Sequence, residues 1–145
     1  MAETANERIR IDAAPQRCYE IASDFERYPE WAKDVKQVTV LERDDEGRGV
    51  KVEYRAAAMG RSTRYVLAYD YAAAPGAFTW SLVESDMLRQ LDGRYGFEPD
   101  GDGARVTYDL TADPKVPLPG FIKRRVASTI IGTALKQLKK EAEQG

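Results

Sequence analysis

The sequence predicts an α+β fold in which a curved, seven-stranded antiparallel sheet surrounds a long C-terminal helix, with two short helices after the first strand. Three observations predict it. Glycine-containing turns separate stretches of alternating apolar and polar residues, three prolines within 114–120 end the last stretch, and the apolar residues beyond them recur at helical spacing. With 145 residues, one domain over 1–145 is expected, with 1–6 as a loose N-terminal tail.

The first strand is predicted at residues 8–12. A helix should then begin near Pro15, because proline suits the first helical turn. Apolar residues at helical spacing form its buried face: Cys18, Ile21, Ala22 and Phe25. Asp24 is expected to cap a second short helix, which Pro29 limits.

Six more strands are expected where residues alternate or are β-branched: 35–43, 48–58, 61–71, 77–84, 87–98 and 104–113. The connections between them are too short for crossover helices, so neighbouring strands should pair antiparallel in a meander. From about residue 118 to 143 the apolar residues repeat every three or four positions, which predicts one long terminal helix.

Composition argues against several classes of function. The chain has no histidine, which disfavours triad hydrolysis and structural zinc, and it has no glycine-rich nucleotide motif, so neither a metal nor a cofactor is expected. The net charge of −2 offers no general attraction to nucleic acid or anionic lipid, so any such binding would be local. A single cysteine and the lack of a signal peptide or an apolar run of membrane-spanning length favour a cytoplasmic protein without membrane insertion.

Alternation along the strands predicts which side chains point toward the C-terminal helix. Most of them are aromatic or branched: Val50, Val52, Tyr54, Ala56, Phe78, Trp80, Leu82, Leu91, Gly93, Tyr95, Phe97, Val106, Tyr108 and Leu110. For the strand at 61–71 both faces are plausible, and the face with Tyr65, Leu67 and Tyr69 is favoured as the inward one.

The terminal helix should face this surface with an apolar stripe whose middle consists of small side chains. The stripe comprises Leu118, Ile122, Val126, Ile130 and Leu138, and its small members are Thr129, Thr133 and Ala134. Small residues opposite large aromatics leave room, and apolar walls with several tyrosine hydroxyls suit a flat hydrophobic molecule. The same pattern also fits a core filled by side chains.

Four segments carry a family resemblance: IDAAPQRCYEIASDFERYPEW, VEYRAAAMGRSTRYVLAYDY, LDGRYGFEPDGDGARVTYDL and PLPGFIKRRV. Together with the order of the elements, they resemble the polyketide cyclase/dehydrase branch of the START-related (SRPBCC) superfamily, which includes the birch-pollen-allergen fold, aromatase/cyclases and coenzyme-Q-binding proteins. The resemblance spans about residues 6–143. It implies a helix-grip fold with a ligand cavity, whose open end lies at the two short helices.

The segment DFERYPEW, residues 24–31, therefore becomes a candidate rim of the cavity. A helix–helix corner packed on the sheet edge would use the same aromatic residues, and both interpretations stay open. The expected ligand-binding residues are Phe25, Tyr28, Trp31, Tyr54, Tyr65, Leu67, Trp80, Leu82, Leu91, Tyr95, Ile122, Val126 and Ile130. The ligand would be a polyketide, aromatic, isoprenoid or lipid, and binding or transport is the favoured function.

A polyketide cyclase/dehydrase of the aromatase type is one alternative. If alternation continues past Phe78, Glu84 points into the cavity and Arg89 reaches the same mouth. With Tyr54 and Tyr65 these residues would supply a base, an electrophilic clamp and hydroxyl donors. A salt bridge between Glu84 and Arg89 at the end of a hairpin explains the same pair.

A coenzyme-Q-binding-like chaperone or ribosome-associated partner protein is the other alternative. Basic residues on the terminal helix suggest it: Lys123, Arg124, Arg125, Lys136, Lys139 and Lys140. A solvated helix face explains the same charges, because Glu141 and Glu143 lie beside them. The pattern fits a monomer or a homodimer equally well.

Overall fold

The computed structural model describes residues 3–58 and 61–144. In chain order its elements are β1 (Glu3–Ile11), α1 (Pro15–Ser23), a single 3₁₀ turn (Phe25–Arg27), α2 (Tyr28–Trp31), β2 (Val35–Arg43), β3 (Gly49–Ala58), β4 (Arg61–Asp70), β5 (Ala77–Ser85), β6 (Leu88–Asp100), β7 (Gly103–Pro114) and α3 (Gly120–Glu143). The predicted α+β helix-grip arrangement is confirmed, and the bounds of β2–β7 and α3 lie within about two residues of those expected.

The strands form one antiparallel sheet in the order β1-β7-β6-β5-β4-β3-β2. Strands β2–β7 make the expected meander, whereas β1 pairs with β7. The two edges of the sheet are therefore consecutive strands, and α1 and α2 must carry the chain from one edge to the other. Helix α1 contacts β6 and β7 on the way, and α2 contacts β2.

The loose tail expected over residues 1–6 is wrong from Glu3 onward. Strand β1 begins at Glu3, which pairs with Ala112, and the pairing continues to Ile11 opposite Ala104. The hydroxyls of Thr4 and Thr111 lie 2.8 Å apart across this ladder. The long β7 offers the N-terminal residues backbone partners along this whole length, which is why they form a strand. Residues 1–2 lie outside the described part of the chain.

The turn between α1 and α2 differs from the prediction in two ways. The Asp24 side chain makes no capping hydrogen bond; its backbone carbonyl accepts one from Arg27 N–H at 3.2 Å instead. Pro29 does not limit the second helix but lies in the first turn of α2, where its missing N–H has no helical partner to lose. The expected Pro15 start of α1 is confirmed.

Helix α3 carries two neighbouring apolar stripes, which differ in burial. The fully buried stripe, which packs mainly against β1 and β7, comprises Ala127, Ile131, Leu135, Leu138 and Ala142. The half-buried stripe beside it includes Ile122, Val126 and Ile130. The predicted stripe mixed the two, because Leu138 belongs to the buried one and Leu118 precedes the helix. Since α3 rests on the β1/β7 side of the sheet, a space remains between the helix and the middle strands.

A buried ion pair joins the end of β7 to the first turn of α3. Lys123 Nζ lies 2.8 Å from Asp113 Oδ1, and the two side chains are only 9% and 8% exposed. The hydrogen bond between them lowers the pKa of Asp113 and raises that of Lys123. Because the folded state lowers the pKa of Asp113, its stabilising effect is present above the ordinary pKa of this carboxyl and is lost as the pH falls through the folded pKa.

The variant Asp113→Asn is therefore expected to unfold at a lower temperature than the wild type at neutral pH, because it leaves the Lys123 ammonium without this carboxylate. The deficit should shrink as the pH falls, since Asp113 of the wild type then becomes protonated. Thermal unfolding followed by circular dichroism across the acid range measures both effects. Asp45→Asn, at an exposed carboxyl, is the control. A deficit that is the same at every pH would contradict charge pairing as its cause.

Candidate functional site

A cavity of about 480 Å³ lies between the concave face of the sheet and α3. Its size falls within the range of small-molecule sites. The space exists because the small side chains of Thr129, Thr133 and Ala134 stand opposite the rings of Trp80 and Tyr95, as the sequence predicts. The alternative of a core filled by side chains is therefore wrong for this part of the interior.

Most of the predicted ligand-binding residues line this cavity. They are Tyr28, Trp31, Tyr54, Tyr65, Leu67, Trp80, Leu91, Tyr95, Ile122, Val126 and Ile130. The inward orientation chosen for β4 is confirmed, because Thr63, Tyr65, Leu67 and Tyr69 also face it. Phe25 and Leu82 do not contribute to the lining. Phe25 is buried behind the wall, with its ring stacked 4.2 Å from that of Tyr69.

The segment DFERYPEW combines both structures that its sequence allows. Tyr28 and Trp31 line the cavity, and their ring centroids lie 5.0 Å apart. Phe25 instead forms the corner, with its ring edge to face against that of Tyr28 at 5.6 Å. The Tyr28 hydroxyl donates a hydrogen bond to the carbonyl of Ala22 and so joins the rim to α1. The three charged residues Glu26, Arg27 and Glu30 are exposed.

The tyrosine hydroxyls of the cavity fall into two groups. Tyr28 donates to the Ala22 carbonyl, and the hydroxyls of Tyr54 and Tyr69 hydrogen-bond each other at 2.6 Å. Tyr65, Tyr95 and Tyr108 line the cavity, and their hydroxyls have no hydrogen-bond partner among the described residues. None of these hydroxyls is sealed in the protein without a partner, so these three are accessible from the cavity. Burial raises the pKa of each of these three phenols, so they remain protonated donors at neutral pH.

The prediction that Glu84 points into the cavity is wrong. Leu67 pairs with Leu82 but the preceding Val66 pairs with Glu84, so β5 carries one extra residue at this point. Such a bulge inverts the alternation. The Glu84 carboxylate lies on the outer face and pairs with Arg64 Nη2 at 3.0 Å, so the proposed salt bridge with Arg89 is also wrong.

Arg89 likewise does not reach the cavity. The register shifts between Leu88 and Gln90, which leaves Leu88 on the cavity wall and Arg89 exposed. Its guanidinium donates to the carbonyl of Lys115 at 3.3 Å. Of the four catalytic candidates, only Tyr54 and Tyr65 line the cavity, with stacked rings 5.2 Å apart.

Several polar residues that line the cavity were not predicted from the sequence. Arg125 and Gln137 come from α3, and Asp34 comes from the segment after α2. Helical periodicity could have identified Arg125 and Gln137, because they lie one turn before Thr129 and one turn after Thr133 on the same face of α3. Asp34 lies in the turn after the short helix α2, where no periodic pattern predicts which way a side chain points. These residues give the cavity wall a charged and polar border.

Within residues 3–58 and 61–144, no group of three or more cysteine or carboxylate side chains is arranged to hold a metal ion. In the same part of the chain, none of the helices combines the length and the apolar character needed to cross a bilayer.

Comparison with known proteins places the fold and the family. A family model described as polyketide cyclase/dehydrase and lipid transport matches residues 2–143. A START superfamily protein from Mycobacterium smegmatis is similar in structure, with a TM-score of 0.93, 25% identity and 97% of each chain covered. A comparison with curated proteins by sequence found no match.

Two further solved structures share the fold at lower identity. The Zhui aromatase/cyclase from a Streptomyces species aligns with a TM-score of 0.85 at 13% identity, over 99% of this chain and 95% of that one. The major latex-like protein 151 from Panax ginseng aligns with a TM-score of 0.75 at 10% identity, over 97% of each chain. At these identities the likeness concerns the fold alone.

Proposed function

Because the chain belongs to the polyketide cyclase/dehydrase and lipid transport family, we propose that it binds or transports a small hydrophobic molecule carrying ring or carbonyl oxygens. Family membership and fold support a hydrophobic-ligand-binding protein. The finer assignment, to an oxygenated aromatic or polyketide-like ligand rather than an alkyl chain, is our own. The binding residues would be those that line the cavity, with Tyr28 and Trp31 at its rim.

The observation that carries this assignment is the set of three phenols that have no hydrogen-bond partner among residues 3–58 and 61–144. Tyr65, Tyr95 and Tyr108 present hydroxyls to a largely apolar space. A hydrocarbon ligand would leave these donors unpaired, at about 1–3 kcal/mol for each hydroxyl that it separates from water. A ligand with oxygens on a flat ring system would accept their hydrogen bonds while its rings contact Trp80 and the aliphatic wall.

We favour binding over catalytic turnover because of the chemistry of the cavity. Aldol cyclisation needs a base, and the carboxylate expected in that role, Glu84, lies on the outer face of the sheet. The carboxylate that does line the cavity, Asp34, is exposed at its border rather than enclosed beside Tyr54. The raised pKa of Tyr54 and Tyr65 suits them to donate hydrogen bonds rather than to abstract protons. Nothing in the placement of these side chains favours cyclase activity over binding.

Ligand preference tests the role of the phenols. β-Naphthol and β-methylnaphthalene have nearly the same size, and the first is expected to bind about tenfold more tightly, because its hydroxyl can pair with a cavity phenol. Isothermal titration calorimetry measures both affinities, because naphthalene rings absorb and emit light in the same range as the cavity residues Trp31 and Trp80. The double variant Tyr95→Phe/Tyr108→Phe should lose most of the preference by weakening naphthol binding.

The matched control is Tyr71→Phe. Tyr71 is buried and donates to the carbonyl of Gly49 at 2.6 Å, but it does not line the cavity. Its removal should leave the preference for naphthol unchanged. Equal binding of the two probes by the wild type would overturn the assignment to oxygenated ligands, and no binding of either probe would count against the binding function itself.

A further inference from the structure

Two large apolar side chains are exposed where the chain enters α3. Val116 lies in the loop after β7 and is 44% exposed, and Phe121 lies in the first turn of α3 and is 59% exposed. A phenylalanine that is mostly in water would gain free energy if another surface covered it. At 59% exposure, Phe121 is not covered by the described part of the chain.

Basic residues surround these two side chains. Arg124 and Arg125 stand three and four positions after Phe121, which puts them beside it on the helix surface. Lys115 adjoins Val116, and the guanidinium of Arg89 hydrogen-bonds the Lys115 carbonyl at 3.3 Å. We call these six residues, Arg89, Lys115, Val116, Phe121, Arg124 and Arg125, the α3 entry patch.

Three carboxylates near this end of the molecule have partners outside the patch. Asp113 pairs with Lys123, and Glu84 pairs with Arg64. Asp86 accepts hydrogen bonds from the hydroxyl of Thr63 and the backbone N–H of Arg64 at 2.7 and 3.1 Å. The α3 entry patch itself contributes four cations and no carboxylate beside its protruding apolar groups, although the whole chain has a net charge of −2.

The patch borders the cavity. Arg125 belongs to both, and its neighbour Ile122 lines the cavity next to Phe121 in sequence. On the sheet side Leu88, which precedes Arg89, and Pro114, which precedes Lys115, also line the cavity. A hydrophobic ligand leaving or entering the cavity at this border would pass beside the exposed apolar side chains.

We propose that the α3 entry patch docks on an anionic lipid bilayer, with Phe121 and Val116 in the interfacial region and the cations against lipid phosphates. A bilayer accepts a protruding aromatic side chain without a preformed pocket, whereas an acidic protein partner would need a complementary groove. Each nearby Lys or Arg adds to the attraction of an anionic leaflet. The contact is peripheral and requires no spanning helix. This inference goes beyond the proposed function and does not depend on ligand binding.

Vesicle sedimentation with ligand-free protein tests it. The wild type is expected to sediment with vesicles of phosphatidylcholine and phosphatidylglycerol, much less with pure phosphatidylcholine, and less as salt is added. Phe121→Ala should lower the partition coefficient by about tenfold. Arg89→Gln should lower it by about fivefold, since each charge near an anionic surface is worth about that factor.

The chain offers a matched control for each variant. Leu41→Ala removes another exposed apolar side chain, on β2, and Lys136→Gln removes an exposed cation further along α3. Both controls should bind vesicles like the wild type. If they lose as much binding as the patch variants, or if the wild type does not distinguish anionic from neutral vesicles, the proposal is overturned.

Two further readouts separate the remaining outcomes. Binding to immobilised polyaspartate without binding to anionic vesicles would assign the patch to an acidic protein and overturn the bilayer. Phe121 and Arg89 do not line the cavity, so the patch variants should still bind β-naphthol in solution. Retained naphthol binding with lost vesicle binding supports docking as a separate property of this surface.

Discussion

Gly93→Ala is expected to lower the free energy of unfolding by about 3 kcal/mol, although it adds a single methyl group. Gly93 lies opposite Trp80 in the ladder between β5 and β6. A Cβ atom at Gly93 would lie 2.3 Å from Trp80 Cζ2 and 2.7 Å from the carbonyl oxygen of Asp109. The indole cannot move aside freely, because it also packs against the rings of Tyr95 and Tyr108 at 5.6 and 5.5 Å.

Urea denaturation measures the effect, and Gly132→Ala is its control. Gly132 lies inside α3, and a Cβ atom there would meet nothing within 4 Å. Alanine should stabilise the protein by about 0.5–1 kcal/mol at this position, because it loses less backbone entropy than glycine on forming a helix. Wild-type stability for Gly93→Ala would show that the close approach of Trp80 to the β6 backbone is not required.

Thr133→Trp is expected to weaken binding of β-naphthol by at least about tenfold. Thr133 lines the cavity from the middle of α3, and an indole there would occupy space that the ligand needs. Because the ligand and the new side chain compete for the same volume, the free energy of binding should become weaker by about 1–3 kcal/mol, the usual cost of overpacking. Without ligand the variant should be as stable as the wild type, because its new ring fills space that no side chain occupies.

The matched control for Thr133→Trp is Ser128→Trp on the same helix. Ser128 is exposed and does not line the cavity, so a tryptophan there should leave naphthol binding unchanged. Isothermal titration calorimetry measures both variants without interference from the added indole. Undiminished binding by Thr133→Trp would place the naphthol outside the cavity and contradict the proposed site.

Strands β2–β7 could be predicted from the sequence because two signals agree in each of them. Alternation marks the strand, and a glycine-containing or short polar turn marks its end, as at Gly47 and Gly101, where the backbone has φ of 80° and 61°. Strand β1 was predicted too short, because residues 3–7 alternate weakly. Its length depends on β7, a partner far away in sequence.

The catalytic candidates failed where alternation was extrapolated without an apolar residue to support it. After Leu82 and Val83 the sequence turns polar, so nothing in it indicates that β5 carries an extra residue before Glu84. A bulge is set by the pairing with β4, and a pairing partner is not visible in the periodicity of one strand. The prediction for α3 was limited in a similar way. Val126 and Ala127 are both apolar, and only the position of β1 decides which of them faces the cavity.

The pairing of β1 with β7 has a consequence for biosynthesis. Glu3 is separated from its partner Ala112 by about a hundred positions, and the helix that closes the cavity follows later still. During translation, the first strand must therefore remain unpaired until almost the entire chain has left the ribosome. Such a topology has high contact order and folds slowly, so the ligand compartment is completed only in the last stage of synthesis.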